Sequence, residues 1–244
     1  MSGGRPRICL LLESFHPVVG GMELQGRALA EGLAARGLPV LVVTRRPSPD
    51  LARLERLGDV EVHRVGAGAG RWRALPAVLR RLRALRERYD LIHVSGLRTF
   101  GLAAVAAAAA LPPRFPVVLK ADNAGELSGE FFDPGLARYG VSHRSPALAP
   151  LNRTRHRVLR RADHFIAISG AIRDEFLAQG VAFERVSLIP NGVDLTRFRP
   201  AQAEGKARLR ERLGLPERAR IVVFAGRLVS WKGPLILLEA WRRL

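Results

Sequence analysis

Two cations five residues apart, Arg227 and Lys232, lie in the stretch Ala225-Gly226-Arg227-Leu228-Val229-Ser230-Trp231-Lys232-Gly233-Pro234. The apolar run Ile221 to Ala225 before them reads as a buried strand, and Leu235 to Leu244 after them has the apolar period of a helix. A strand-loop-helix crossing puts free backbone N–H groups and a partial positive charge at the helix start, and α/β folds seat anions there. With two full charges added, the stretch suits the phosphates of a ligand. The lysine is preceded by Trp231 and followed by Gly233, so the Gly-Lys-Ser/Thr signature of nucleotide hydrolysis is not met.

A second polar position stands alone. Asp122 follows the apolar run Val117 to Ala121 and opens a long irregular region, Asp122 to Pro150, rich in glycine. A loop aspartate at such a place can cap a turn. Gly20 and Gly21 precede a helical stripe from Met22 to Arg36, leaving side-chain-free backbone at a helix N-terminus. They do not complete the Gly-x-Gly-x-x-Gly pattern of dinucleotide folds, which disfavours a nicotinamide cofactor. No Asp-x-Asp, no Gly-x-Ser-x-Gly and no paired metal-ligand spacing among the six histidines is present.

The elements that must hold these residues alternate. Strands are expected at Arg7 to Glu13, Pro39 to Thr44, Val60 to Val65, Leu91 to Val94, Val117 to Ala121, His164 to Ile168 and Val186 to Ile189. Helices are expected at Ala74 to Arg88, Thr99 to Leu111, Leu151 to Ala162, Ala171 to Gln179 and Lys206 to Leu213. Pro190 to Pro200, with its Asn191-Gly192 turn pair, reads as a connector. The alternation predicts a doubly wound, largely parallel α/β sheet.

Composition sets bounds. The 244 residues, 48% of them hydrophobic, suffice for one large or two modest domains. No apolar run reaches the roughly 20 residues of a membrane span, and the polar start lacks a signal-peptide core, so a cytoplasmic location is expected. The single cysteine, Cys9, excludes an internal disulfide. The net charge is +18, and 37 of the 40 basic residues are arginine. Such a surface draws anions, and the basic helix around Arg153, Arg155, Arg157, Arg160 and Arg161 reads either as a solvated face or as a peripheral contact with an anionic membrane. With 6% aromatic residues and no reading motif, nucleic acid is not expected as a partner.

Jointly, Gly20-Gly21 after the first strand, Ile168-Ser169 before a helix, Ile189-Pro190-Asn191-Gly192-Val193-Asp194 with Phe198-Arg199-Pro200, and Gly226-Arg227-Leu228 with Lys232-Gly233-Pro234 resemble the GT-B glycosyltransferases of family 4. The resemblance covers nearly the whole chain from Arg7. It implies a Rossmann-like acceptor-side domain over residues 1–189, a connector over 190–205, and the start of a donor-binding Rossmann-like domain over 206–244. It implies transfer from a nucleotide-sugar donor to a glycan or lipid-linked acceptor, with retention and no cofactor or bound metal. Arg227 and Lys232 would pair with the donor diphosphate. Gly20, Gly21 and Ser169 would approach substrate, and Asn191 and Gly192 would shape the hinge side of a cleft. Two departures stand out. Many members carry a histidine that contacts the reacting sugar where this chain has Asp122, so the resemblance implies a catalytic place for Asp122 against the acceptor or donor sugar; and the family's Glu-x7-Glu motif would lie beyond Leu244, so a truncated second domain with part of the donor pocket is expected. The alternative is a non-catalytic acceptor- or anion-binding module.

Overall fold

The structure, a computed structural model, describes residues 4–68, 70–226, 228–229 and 232–243. Residues 1–192 form one compact unit and 193–244 a second.

In the first unit, strands β1 (Ile8–Leu12), β2 (Val40–Arg45), β3 (Leu54–Leu57), β4 (Val60–Val65), β5 (Leu91–Ser95), β6 (Val117–Ala121), β7 (His164–Ala167) and β8 (Val186–Leu188) make one sheet in the order β3-β4-β2-β1-β5-β6-β7-β8. Every pairing is parallel except β3 with β4. The sequence gives no sign of β3, whose Leu-Glu-Arg-Leu sets two adjacent charges between two leucines with no apolar alternation, on a strand paired on one side only. Gly58, at φ +58°, and Asp59 turn it tightly into β4.

Helices cover both faces, as parallel sheets require. The helices are α1 (Gly21–Ala35), α2 (Arg71–Ala84), α3 (Thr99–Ala110), α4 (Asp133–Leu136), α5 (Ala149–Leu159) and α6 (Gly170–Ala178). One apolar cluster joins Ile8, Leu10 and Leu12 of β1 to Ala30, Leu29 and Leu33 of α1. The larger one, on the other face, joins Cys9 and Leu11 to Val78 and Leu82 of α2, Phe100 and Ala104 of α3, Leu159 of α5 and Phe176 of α6. The alanines of α3 give it a slender body. A Cβ on its Gly101 would stand 3.3 Å from Leu159, so the helix packs closely between sheet and α5.

The second unit contains α7 (Ala203–Arg212) and α8 (Pro234–Trp241). The strand expected at Ile221 to Ala225 is not formed: the run has no regular secondary structure and no ladder partner among the described residues, and Val222 and Val223 are exposed. An apolar run becomes a strand only when a neighbour completes its hydrogen bonds. No helix among the described residues is long and apolar enough to cross a membrane.

Candidate functional site

Parallel register brings the carboxyl ends of the central strands to one edge: Leu12 lies opposite Ser95, Ser95 opposite Lys120, and Ala121 opposite Ala167. The residues that leave the sheet there carry its chemistry. Glu13, buried just past β1, accepts the Thr99 backbone N–H at 3.1 Å, and Arg98 Nε lies 3.8 Å from its other oxygen. Arg98 also reaches Met22 in the first turn of α1, Nη2 to Sδ 3.9 Å, and its guanidinium sits 5.4 Å from the Phe131 ring centroid. Lys120 Nζ donates to Asp122 Oδ1 at 3.0 Å, with both side chains about nine-tenths buried. Arg98 Nε, Thr99 Oγ1 and Asp122 Oδ2 are buried and have no hydrogen-bond partner. Buried polar atoms in native proteins are almost always satisfied, which makes Thr99 Oγ1 and Asp122 Oδ2 at this edge notable.

Behind this edge a second polar layer fixes the loops. Glu126 is fully buried, accepting from Leu97 N at 2.8 Å and from Asn123 Nδ2 at 3.1 Å, and burial pushes its carboxyl above the ordinary range. Glu175 of α6 accepts from the backbone of Gly125 at 2.6 Å, Leu127 at 3.0 Å and Ser128 at 2.9 Å. Arg155 of α5 donates to the carbonyls of Leu127 at 2.8 Å, Leu97 at 2.9 Å and Glu126, and burial lowers its pKa to about 10. Gly125 stands at φ +82°, and a Cβ there would fall 2.7 Å from the Phe131 nitrogen, so only glycine lets the loop pass. The region 122–150 is therefore pinned, and within it α4 and short 3₁₀ turns replace the irregular loop expected. Arg155, expected on a solvated or membrane-facing helix surface, turns inward.

Gly20 is the N-cap of α1, and the Glu23 carboxylate lies beside it: a Cβ on Gly20 would be 2.2 Å from Glu23 Oε2. Around Gly21 a side chain would meet open space, so backbone remains approachable there. Ser169 caps α6, its Oγ accepting from Ile172 N at 3.4 Å, which gives this residue a structural task. Asn191 and Gly192 lie at the end of the first unit, where Gln25 Nε2 donates to the Gly192 carbonyl at 2.9 Å. They line a cavity of about 390 Å³ with Leu10, His93 and Lys120. Burial and the neighbouring Lys120 charge lower the His93 pKa to about 4, which keeps the ring neutral at pH 7. Lys232, in the second unit, is exposed, and Gly233 at φ +69° follows it as the N-cap of α8. Arg227 lies outside the described residues.

The structure thus joins Asp122 to Lys120, and α1 with its glycine pair to Arg98. Sequence reasoning missed Arg98, Glu126, Glu175 and Arg155. Glu175 and Arg155 look like ordinary surface charges in their helices, and nothing local signals their inward bonds. For Arg98 the signal available was its place directly before α3 at a strand end.

Comparison with known proteins places the fold in a family. The model of the glycosyl transferase 4-like domain matches residues 20–192. A D-inositol 3-phosphate glycosyltransferase of Catenulispora acidiphila is 32% identical over 238 residues, covering 92% of this chain and 53% of the relative. One from Kineococcus radiotolerans is 30% identical, covering 92% and 52%. The chain spans about half the length of the curated relatives it matches. Among solved structures, sucrose-phosphate synthase from Thermosynechococcus elongatus superposes with a TM-score of 0.72 at 23% identity, covering 98% of this chain and 60% of that one. Anabaena HepE in complex with UDP and glucose gives 0.63 at 22% identity, covering 97% and 58%. These likenesses show a shared fold. With the family model spanning most of its first unit, the chain belongs to the glycosyl transferase 4-like family.

Proposed function

We propose that the chain is the acceptor-side part, with the start of the donor-binding part, of a glycosyltransferase that moves a sugar from a nucleotide-sugar donor to a glycan, lipid-linked or phosphorylated polyol acceptor with retention of configuration. The observation that carries this reading is the polar carboxyl edge of the sheet, where Arg98 pairs with Glu13 and where Thr99 Oγ1 and Asp122 Oδ2 are buried without a hydrogen-bond partner, in a member of a glycosyltransferase family. Hydroxyl groups of a sugar or polyol are donors and acceptors at once, and they match an edge offering a carboxylate oxygen, a guanidinium nitrogen and a hydroxyl. Asp122, held by Lys120, accepts from an acceptor or donor hydroxyl. Arg227 and Lys232 bind the donor diphosphate and compensate the charge that grows on it as the glycosidic bond breaks, an electrostatic contribution of the kind that dominates many active sites. Gly20 and Gly21 leave backbone open to substrate, and Asn191 and Gly192 border the exit from the acceptor-side unit.

UDP and glucose are what the HepE structure holds, and D-inositol 3-phosphate is in the names of the relatives. UDP-sugars are therefore the first donors to try and inositol phosphates the first acceptors. A thermal-shift screen of nucleotide sugars should find one that raises the melting temperature of the wild type, with the shift lost in Arg227→Ala and Lys232→Ala. If no nucleotide sugar stabilises the wild type, the donor assignment fails. Transfer followed by proton NMR of the new anomeric centre tests retention, and Asp122→Asn should lower the transfer rate by about a hundredfold. Binding of donor or acceptor without any turnover would favour a non-catalytic module.

A further inference from the structure

Away from that edge, a cavity of about 550 Å³ opens where the ends of β2 and β4 meet α2. Five arginines line it: Arg46 after β2, Arg53 before β3, Arg64 on β4, and Arg80 and Arg81 on α2. The small side chains of Ala77 and Ala84, seven residues apart on the same helix, leave the space open. Arg64 borders the cavity but keeps its guanidinium buried, so the arginines open to a ligand are Arg46, Arg53, Arg80 and Arg81. The Arg64 side chain is 1% exposed, with Nη1 2.5 Å from Glu55 Oε2 and Nη2 donating to the His16 carbonyl at 2.7 Å. Arg46 is held by the carbonyls of Leu51, at 2.6 Å, and Pro49. Among the described residues, Glu55 is the one carboxylate bonded to any of the five, and Arg53, Arg80 and Arg81 have no ion-pair partner. His63 on β4 lies 2.6 Å from Glu61, and burial, with the Arg81 charge of α2 adding to it, lowers its pKa from the ordinary value.

Like charges gathered around a concave space repel one another, and an anion between them removes that repulsion. The guanidinium fork matches phosphate oxygens two at a time. A single phosphate fills only a fraction of such a volume, which lies within the roughly 300–1,000 Å³ range of small-molecule sites. We infer that this cavity is a second binding site, for a ligand carrying several phosphate groups, either a soluble polyphosphorylated molecule or a polyphosphorylated lipid headgroup. The site is independent of the function proposed above. It touches that function's machinery at one point: Arg64 bonds the His16 carbonyl, in the loop that leads to Gly20.

The probe is inorganic tripolyphosphate, titrated calorimetrically into the chain at an ionic strength of about 0.15 M, where diffuse surface attraction is largely screened. One saturable equivalent should bind, and the double variant Arg80→Gln/Arg81→Gln should bind at least about tenfold more weakly. The charge-matched control Arg83→Gln/Arg157→Gln, exposed arginines outside the cavity, should bind as the wild type does. Circular dichroism verifies that both variants fold. Equal weakening in both doubles would reduce the binding to a general surface field and overturn the site, as would the absence of a saturable equivalent. The ligand's source is separated by sedimentation with phosphatidylcholine vesicles containing phosphatidylinositol bisphosphate. Vesicle binding that tripolyphosphate reverses assigns a lipid headgroup, and tripolyphosphate binding without vesicle binding assigns a soluble ligand. Vesicle binding that survives Arg80→Gln/Arg81→Gln counts against the cavity.

Discussion

Two apolar runs of five residues, Ile8 to Leu12 and Ile221 to Ala225, carry nearly the same pattern and end in different states. The first is β1, buried at every position and paired in parallel with β2 and β5. The second has no ladder, and Val223 is 79% exposed. Hydrophobicity nominates a strand, and neighbours on either side make it one, because each backbone N–H and C=O needs a partner before it can be buried. The same contrast extends to the two units: strand pairings order the first, and among the described residues of the second the regular elements are the helices α7 and α8.

The sharpest way to break the comparison is mutation in the two runs. Leu11→Ala should cost about 3 kcal/mol in urea unfolding, since a fully buried leucine leaves a cavity in the larger core. Val223→Ala should fall within about 0.5 kcal/mol of wild type. A Val223→Ala cost near that of Leu11→Ala would show that the second run is buried in solution and that the contrast is wrong.

Charged residues give the next test. Glu175→Gln should cost about 2 kcal/mol and speed amide hydrogen exchange at Gly125, Leu127 and Ser128, because a neutral amide cannot accept all three N–H groups as the carboxylate does. The exposed Glu211, on α7, has no side-chain bond among the described contacts, and Glu211→Gln should change neither quantity.

A pH titration sharpens the contrast from another side. His93 has a folded pKa of about 4 against 6.5 ordinarily, so its contribution to stability is present above about pH 6.5 and is lost as the pH falls toward 4. His93 borders a cavity, so solvent screening should hold the loss to about 1–2 kcal/mol. Glu126 works in the opposite sense: its raised carboxyl favours the fold most below its ordinary pKa, and that contribution declines as the pH rises through the raised value. Unfolding free energies of the wild type and His93→Gln between pH 7 and 4.5 should converge on acidification, and parallel curves would remove His93 from the account.

The smallest effect concerns helix starts. Ser169→Ala should cost about 1 kcal/mol, since it removes the cap of α6. At α7 Gln202 makes no side-chain cap bond, and Gln202→Ala should be near neutral.

These cases show what a linear reading can reach. The central strands were legible because burial on both faces leaves a continuous apolar signature, as at Val40 to Val43 or Leu10 to Leu12. β3 was not, because a four-residue edge strand carrying Glu55 and Arg56 has neither length nor continuous hydrophobicity. Asp122 was singled out through the resemblance, as the residue standing where family members carry a histidine, and the structure shows it bonded to Lys120. Its neighbours Arg98 and Thr99 come from another strand's end, and only the register of β5 with β6 brings them near. The order of the region after Asp122 depends on Glu175 and Arg155, and bonds spanning tens of residues leave no trace in local composition.

The strand order also bears on how the chain avoids sticking to its neighbours while it is being made. From β6 onward each strand joins the sheet beside the one synthesised before it, so through the second half of this unit's synthesis a freshly completed edge faces outward with its amides unpaired. Such an edge is a template for aggregation. The sheet ends this exposure with strands poor at recruiting another: β8 has only three residues, and β3 at the opposite border is short, antiparallel and charged. The weakest strands stand at the borders, where weakness keeps one molecule's sheet from continuing into the next.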